Sequence, residues 1–273
     1  MCIRDSIDLQ PEVLDRQSRI TARQARFLFN EGRLELRGSP RLQRWSKSLD
    51  AFKENPRPDP EIVVTASSAD WEPQSGRLVA KGPVVAVRRP PGSGKKRPPQ
   101  TLKASALKGN TLKQDYLLLG PVGLYDPAEK VNVQANRLSI DIREGRLSTD
   151  QPFRGRRDTL QVRGDSFRVD NSRQTVWIPQ GCRIDRPGEN LRAGSCSWNW
   201  KTDAVTAQGG LELRRSTNGQ LTRGERLEGV LGKGAQLEVT SPGGRVFSQF
   251  RVPGRSAPAR PSPPRPKPEP IRL

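Results

Sequence analysis

Histidine is absent from this chain of 273 residues, and cysteine, methionine and tyrosine occur only three, one and two times. Without histidine the chain has no Ser–His or Cys–His nucleophile system, and it lacks the commonest metal ligand of proteins. Carboxylates such as Asp141 and Glu144 stand at polar or turn positions, with nothing that would hold two of them together. We therefore predict that the protein is not an enzyme and uses neither cofactor nor metal.

Apolar residues are also scarce, because hydrophobic residues make up 32% and aromatic residues 5% of the chain. This is lean for a compact core but sufficient for a thin structure of two layers. Helical spacing of apolar residues is not evident, whereas alternation of apolar and polar residues is common, as in Leu78, Ala80 and Val84. Alternation with a period of two is typical of strands with one buried face, so we predict an all-β protein.

A register recurs along the chain and indicates a stack of similar units. Each unit has a small residue, here called the anchor, an apolar residue two positions before it and another twelve positions after it. The six anchors are Ala22, Ala66, Ala104, Ala135, Gly164 and Ala193. Their spacings of 44, 38, 31, 29 and 29 residues predict constant units joined by loops of variable length.

Two strands for each unit follow from this pattern. The alternation slips between the anchor and the third residue after it, which predicts a bulge or bend there. Sixteen residues after four of the anchors stands a glycine, twice in the pairs Gly82-Pro83 and Gly120-Pro121. We favour a long strand that kinks at this glycine, and the alternative is that the strand ends there. Six strands in each of two layers would give a body about 30 Å long.

The net charge of +19 is concentrated in part in two proline-rich segments, residues 88–103 and 251–273, which we expect to be disordered. Nucleic-acid binders concentrate basic and aromatic residues on one face, whereas the aromatic residues here fall at inward positions. We therefore expect no nucleic-acid partner and favour loose attraction to anionic lipid headgroups or phosphates. The predicted organisation is one elongated domain over residues 7–252, with a basic loop at 88–103, and a tail at 253–273.

Cys182 and Cys196 occupy inward positions on either side of a turn at Pro187-Gly188. In a hairpin centred on that turn they would face each other, so a disulfide is possible in an oxidising compartment, and two buried thiols are the alternative.

The first six residues, Met-Cys-Ile-Arg-Asp-Ser, are those encoded by ATGTGTATAAGAGACAG and one further base, the mosaic end of transposon-based sequencing libraries. We expect residues 1–6 to be a library scar, with the native N-terminus missing and an anchor able to precede Ile7.

Two segments resemble a known family. The sequences ASSADWEPQSGRLVAKGPVVAV, residues 66–87, and AGSCSWNWKTDAVTAQGGLELR, residues 193–214, are similar to the repeat of the lipopolysaccharide-export periplasmic proteins LptC and LptA, also called OstA-like. The resemblance covers residues 20–213. It implies an elongated, open, twisted β-jellyroll, or β-taco, that shields the acyl chains of lipopolysaccharide, and we favour the LptC branch.

The resemblance implies binding and transfer of lipopolysaccharide across the periplasm, as one component of a bridge from an inner-membrane ABC transporter to the outer membrane. The implied partners are lipopolysaccharide, the permease subunits of the transporter, and an LptA-like jellyroll joined edge to edge. The implied localisation is the periplasm, with an N-terminal membrane helix missing from this chain. We expect the lipid channel to be lined by inward residues near an open seam: Phe27, Leu34, Trp71, Leu78, Leu118, Ile140, Val169, Ile178, Trp198 and Val205. The alternative is an envelope scaffold or adhesin-like repeat protein that binds no lipid.

Overall fold

A computed structural model describes residues 3–4, 18–45, 59–89, 97–231 and 236–251. It contains one short 3-10 turn, Phe29–Glu31, and no helix among the described residues is long and apolar enough to cross a membrane. The predicted tail at 253–273 lies outside these residues, as do residues 90–96 of the predicted basic loop. Both ends of that loop belong to strands, which corrects its predicted bounds of 88–103.

The strands are numbered in chain order. They are β1 (Ile3–Arg4), β2 (Ser18–Thr21), β3 (Gln24–Leu28), β4 (Arg33–Arg37), β5 (Arg41–Arg44), β6 (Ile62–Thr65), β7 (Ser68–Trp71), β8 (Arg77–Arg88), β9 (Gln100–Asn110), β10 (Asp115–Asp126), β11 (Val131–Asp141), β12 (Arg146–Thr149), β13 (Phe153–Arg157), β14 (Leu160–Gly164), β15 (Phe167–Asp170), β16 (Thr175–Ile178), β17 (Cys182–Arg186), β18 (Glu189–Ala193), β19 (Ser195–Asn199), β20 (Ala204–Arg215), β21 (Gln220–Val230), β22 (Leu237–Thr240) and β23 (Phe247–Gln249).

The strands form two antiparallel layers, and the long strands take part in both. Layer one has the order β2-β5-β6-β8-β9-β10-β11-β13-β14-β17-β18-β20-β21-β23. Layer two has the order β1-β3-β4-β7-β8-β9-β10-β11-β12-β15-β16-β19-β20-β21-β22. The predicted all-β jellyroll is confirmed.

Every crossing between the layers falls on one line, here called the spine. The register shifts in the long strands lie between Lys81 and Val84, between Leu119 and Val122, and between Gln208 and Leu211. Gly82 and Gly120 at two of these kinks have φ angles of 85° and 84°, which residues with a Cβ atom rarely adopt. The favoured interpretation, a long strand kinked at the glycine, is therefore correct for β8, β10 and β20.

The six anchors also lie on the spine. In each unit the anchor marks the point where the first strand crosses from one layer to the other, whereas the kinks described above are crossings of the second strand. Ala22 and Ala66 stand in the short breaks after β2 and β6, whereas Ala104 and Ala135 lie inside continuous strands. Because both strands of a unit cross the spine, each unit adds two segments to each layer instead of one. A layer of 14 segments at the usual strand spacing is about 60 Å wide, so the predicted length of about 30 Å is wrong.

The opposite edge of the molecule, where the hairpin turns of the two layers end, is here called the mouth. In the strands from β8 to β15, burial decreases from the spine towards the mouth because the alternating apolar side chains of the two layers pack against each other most closely beside the crossings. Val84, Leu118 and Leu138 are at most 1% exposed, whereas Leu102, Ile140 and Val169 are only partly buried.

The buried residues form two clusters. One lies among the strands before β9 and includes Leu34, Trp71 and Val84, and the larger one extends from Ala104 to Leu227.

Candidate functional site

A single cross-strand row of inward positions runs along the mouth of layer two. Each position is paired with the next one in register, so the row is continuous from β3 to β22 and holds twelve side chains larger than glycine. In order, its members are Phe27, Leu34, Trp71, Leu78, Gly109, Tyr116, Ile140, Leu147, Val169, Val176, Trp198, Val205, Gly229 and Leu237.

Layer one presents a second row on the facing wall. It is continuous from β2 to β23 and is apolar up to its last two members. Its members are Ile20, Leu42, Val64, Ala86, Leu102, Leu124, Val133, Gly155, Val162, Ile184, Leu191, Leu213, Thr222 and Ser248. The two rows together form an apolar trough that follows the whole mouth.

The predicted channel residues fall on this trough. Eight of the ten belong to the mouth row of layer two, namely Phe27, Leu34, Trp71, Leu78, Ile140, Val169, Trp198 and Val205. Leu118 and Ile178 lie one inward position nearer the spine. The alternation thus brings the predicted residues to one wall, although they are spread over nearly 180 residues of sequence.

The ten predicted residues differ in how exposed they are, and whether they contact lipid stays a prediction. Leu34, Trp71, Leu118, Ile178 and Val205 are at most 5% exposed, since neighbouring strands and the facing layer cover them. Phe27 is 39% exposed, and Leu78, Ile140, Val169 and Trp198 are partly buried. The accessible members of the mouth row of layer two are therefore Phe27, the half-buried stretch from Leu78 to Trp198, and the end at Leu237.

The facing row of layer one is missing from the predicted lining. The register contained a signal for it, because the apolar residue two positions before each anchor belongs to this row in all six units. Likewise, the apolar residue twelve positions after each anchor belongs to the row of layer two. The two apolar positions of the register are thus the two walls of the trough.

Arg157 bridges the mouth. Arg157, at the end of β13 in layer one, donates a hydrogen bond from Nη1 to the carbonyl oxygen of Trp200, in the turn after β19 of layer two, at 3.1 Å. Its guanidinium carbon also lies 5.7 Å from the centre of the Trp198 ring, and its Nη2 is 3.7 Å from Glu129. These contacts hold the two edges together at this point.

Beside this bridge, the buried indole Nε1 of Trp198 has no hydrogen-bond acceptor among the described residues. A buried donor without a partner costs about 1–3 kcal/mol. An ester or amide carbonyl of a bound lipid would satisfy it.

Tyr116 is the one titratable member of the row in layer two. Burial raises the pKa of its phenol, and the positive charge of Arg44, across the mouth in β5, opposes part of this shift. The phenol is therefore neutral at physiological pH, which keeps the wall free of charge.

A disulfide joins the layers near the spine. Cys182 lies in β17 of layer one and Cys196 in β19 of layer two, with 5.9 Å between their Cα atoms. The disulfide that the sequence allowed between these two cysteines is present. The two cysteines do not face each other across the hairpin, however, because the partner of Cys182 there is Ala193. The bond instead connects the two walls of the trough.

Comparison with protein-family models gives no match, and comparison with curated proteins gives none either. Among solved structures, the chain is similar to LptH of Pseudomonas aeruginosa, described as the LptA homologous periplasmic component of the conserved lipopolysaccharide transport device. The two chains share 12% sequence identity and superpose with a TM-score of 0.39, over 59% of this chain and 99% of LptH.

Proposed function

We propose that this protein binds the acyl chains of lipopolysaccharide in the trough between its two layers and passes the lipid along the mouth. The observation that carries the proposal is that the two apolar rows are continuous and that neither contains a charged residue. Neighbouring positions of the rows offer equivalent apolar contacts. An acyl chain can therefore move from one position to the next without exposing hydrocarbon to water. Exposing an acyl chain to water would cost about 25 cal/mol for each Å².

We propose further that the protein works in the periplasm as one component of a bridge between an inner-membrane ABC transporter and the outer membrane, and so in outer-membrane biogenesis. The sequence resemblance of residues 66–87 and 193–214 to the LptC and LptA repeat supports this role. The trough provides a path but no source of energy, so a partner ATPase must drive net movement. An LptA-like jellyroll joined edge to edge would continue both rows.

Photo-crosslinking tests the lipid path with a matched pair of positions in β11. A photo-crosslinking amino acid at Ile140, in the row of layer two, should capture lipopolysaccharide. The same amino acid at the adjacent Ser139, which points to the outer face of layer two, should not. Lys81 in β8 is a second outward control. Equal capture from Ile140 and Ser139 would exclude the trough as the binding site.

A scaffold that binds no lipid is the second candidate function. The close packing beside the spine favours it, since Leu118, Leu138 and Leu227 are at most 1% exposed and fill the space between the layers there. In that case neither Ile140 nor Val169 would crosslink to lipid in cells that export lipopolysaccharide.

A further inference from the structure

Four arginines lie directly opposite one another on the outer face of layer one. Arg154 in β13 pairs with Arg163 in β14, Arg163 with Arg183 in β17, and Arg183 with Arg192 in β18. Directly opposed side chains have Cβ atoms about 5 Å apart, so the four form a line about 15 Å long. We call this set the arginine row.

The members of the arginine row have no carboxylate partner in the described ranges, unlike many of the arginines on the strands of this protein. Arg37, Arg137 and Arg215, for example, each contact a carboxylate, with distances of 2.7, 3.2 and 2.9 Å. Within the part of the chain that the structure describes, no carboxylate lies within ion-pair distance of any member of the row. The one polar contact found is from Arg163 Nη2 to Gln161 Oε1, at 3.4 Å.

Two acidic residues close to the row, Glu212 and Asp185, have other partners. Glu212 stands opposite Arg192, but it already accepts hydrogen bonds from Arg214 and Arg223 at 2.7 and 3.0 Å. These hydrogen bonds lower the pKa of the Glu212 carboxyl. Asp185, in the adjoining row, accepts a hydrogen bond from Asn190.

Like charges placed directly opposite each other in a sheet repel, so the arrangement is unfavourable unless an anion binds to it. Guanidinium groups bind phosphate through two parallel hydrogen bonds, which lysines do not provide. A line of four such groups suits a ligand that presents several phosphates at once. The row lies on the outer face of the layer and not in a pocket. It therefore suits an extended surface of phosphates better than a single enclosed molecule.

We propose that the arginine row binds the phosphates of an anionic lipid bilayer, so that the outer face of layer one lies against a membrane surface. The line of charge, with Arg154, Arg163 and Arg192 exposed and Arg183 half-buried, fits a plane of headgroups. The flanking side chains Gln134, Gln161 and Asn190 offer no aromatic ring for base stacking, which disfavours single-stranded nucleic acid. This site is on the opposite side of the layer from the trough and is independent of the lipid path.

Vesicle binding tests the proposal with two variants of equal net charge. The first replaces the row, as Arg154→Gln, Arg163→Gln, Arg183→Gln and Arg192→Gln. The control replaces four exposed basic residues of layer two and its turns, as Arg26→Gln, Lys108→Gln, Lys113→Gln and Lys201→Gln. Each is mixed with vesicles of phosphatidylglycerol and phosphatidylcholine, or of phosphatidylcholine alone, and sedimented.

The wild-type chain and the control should bind the anionic vesicles, and the row variant should bind about 100-fold more weakly at low salt. An equal loss in both variants would overturn the proposal, because net charge alone would then explain binding. Failure of the wild-type chain to bind would overturn it as well. Binding of soluble polyphosphate through the row, without binding of anionic vesicles, would also do so, since the occupant would then be a soluble polyanion. Binding of duplex DNA through the row, without vesicle binding, would contradict it too.

Thermal unfolding separates binding from folding. The row variant should melt at or above the temperature of the wild-type chain, because the mutual repulsion of the arginines is removed. Added inorganic phosphate should raise the melting temperature of the wild-type chain more than that of the row variant. A row variant that melts lower, with the same response to phosphate, would show that the arginines are structural.

Discussion

Single glycines determine where β8 and β10 bend. At Gly120 the φ angle is 84°, and a Cβ atom there would collide with the side chain of Ser105 on the neighbouring strand. Both strain and collision arise because the strand leaves one layer and enters the other at this residue. Gly123, three residues later in the same strand, has open space around it and no positive φ.

These two positions give a matched test. Gly120→Ala should lower the free energy of unfolding by about 2 kcal/mol, the usual cost of forcing a residue with a Cβ atom into the left-handed region. Gly123→Ala should change it by less than about 0.5 kcal/mol. Urea unfolding followed by circular dichroism measures both, and equal losses would contradict a kink that depends on glycine.

Tyr116 makes the free energy of unfolding decrease as the pH rises into the alkaline range. Its pKa is raised in the folded state, so its contribution is fully present below the pKa of the unfolded chain, about 10. That contribution is lost as the pH rises through the folded pKa, because the folded state resists ionisation.

Tyr116→Phe should therefore make stability fall less steeply above about pH 10 than in the wild-type chain. Tyr125→Phe is the control, because Tyr125 is 50% exposed. The measurement is the free energy of unfolding between about pH 8 and pH 11. Identical slopes for the wild-type chain and Tyr116→Phe would contradict a buried phenol.

At the scale of the strands, the bond between β17 and β19 is the covalent link between the two walls. It closes a short loop, since Cys182 and Cys196 are 14 residues apart. Cross-linking a loop of about 15 residues stabilises a protein by about 3 kcal/mol, chiefly by restricting the unfolded chain.

The double variant Cys182→Ala and Cys196→Ala should lose about that amount of stability. A reductant should lower the stability of the wild-type chain to a similar extent and leave the double variant unchanged. If the reductant had no effect on the stability of the wild-type chain although the two free thiols were detected, the contribution of the bond would be negligible.

The units of the stack were visible in the sequence because alternation is a local property of a strand. The apolar residues before and after each anchor therefore identified both walls. The partners of each strand were not visible, because pairing joins residues distant in sequence. For that reason the sequence did not predict that both strands of each unit cross between the layers. The width of each layer, which follows from these crossings, could not be predicted either.

The arginine row had a signal in the sequence that alternation alone does not use. Arg163 and Arg192 stand one residue before the last two anchors, Gly164 and Ala193, and Arg154 and Arg183 stand ten residues before them. Only the register of β13, β14, β17 and β18 shows that these positions are adjacent. In the same way, nothing in the sequence linked Arg157 to Trp200.

For the whole molecule, the contacts across the mouth determine how easily the layers separate. Arg157 joins the two edges through a hydrogen bond to a backbone carbonyl and a contact with the Trp198 ring. Hydrogen bonds of charged groups contribute about 1.5–3 kcal/mol. The neighbouring Arg156 points outwards and donates only to the carbonyl of Asp158 in its own turn.

Arg157→Ala should therefore accelerate binding of a fluorescent acyl lipid about tenfold, since the edges separate more readily. Arg156→Ala has the same change of charge and should bind at the wild-type rate. Stopped-flow fluorescence gives both rates. Slower binding by Arg157→Ala than by Arg156→Ala would mean that the arginine attracts the lipid and does not hold the mouth closed.

The constant register makes the length of this protein adjustable. Ala135, Gly164 and Ala193 follow one another at intervals of 29 residues. The segment between two of them adds two strand segments to each layer. Duplicating one such segment would extend the molecule by about 10 Å while its cross-section stayed the same. Homologues of different size could thus span gaps of different width with one invariant profile.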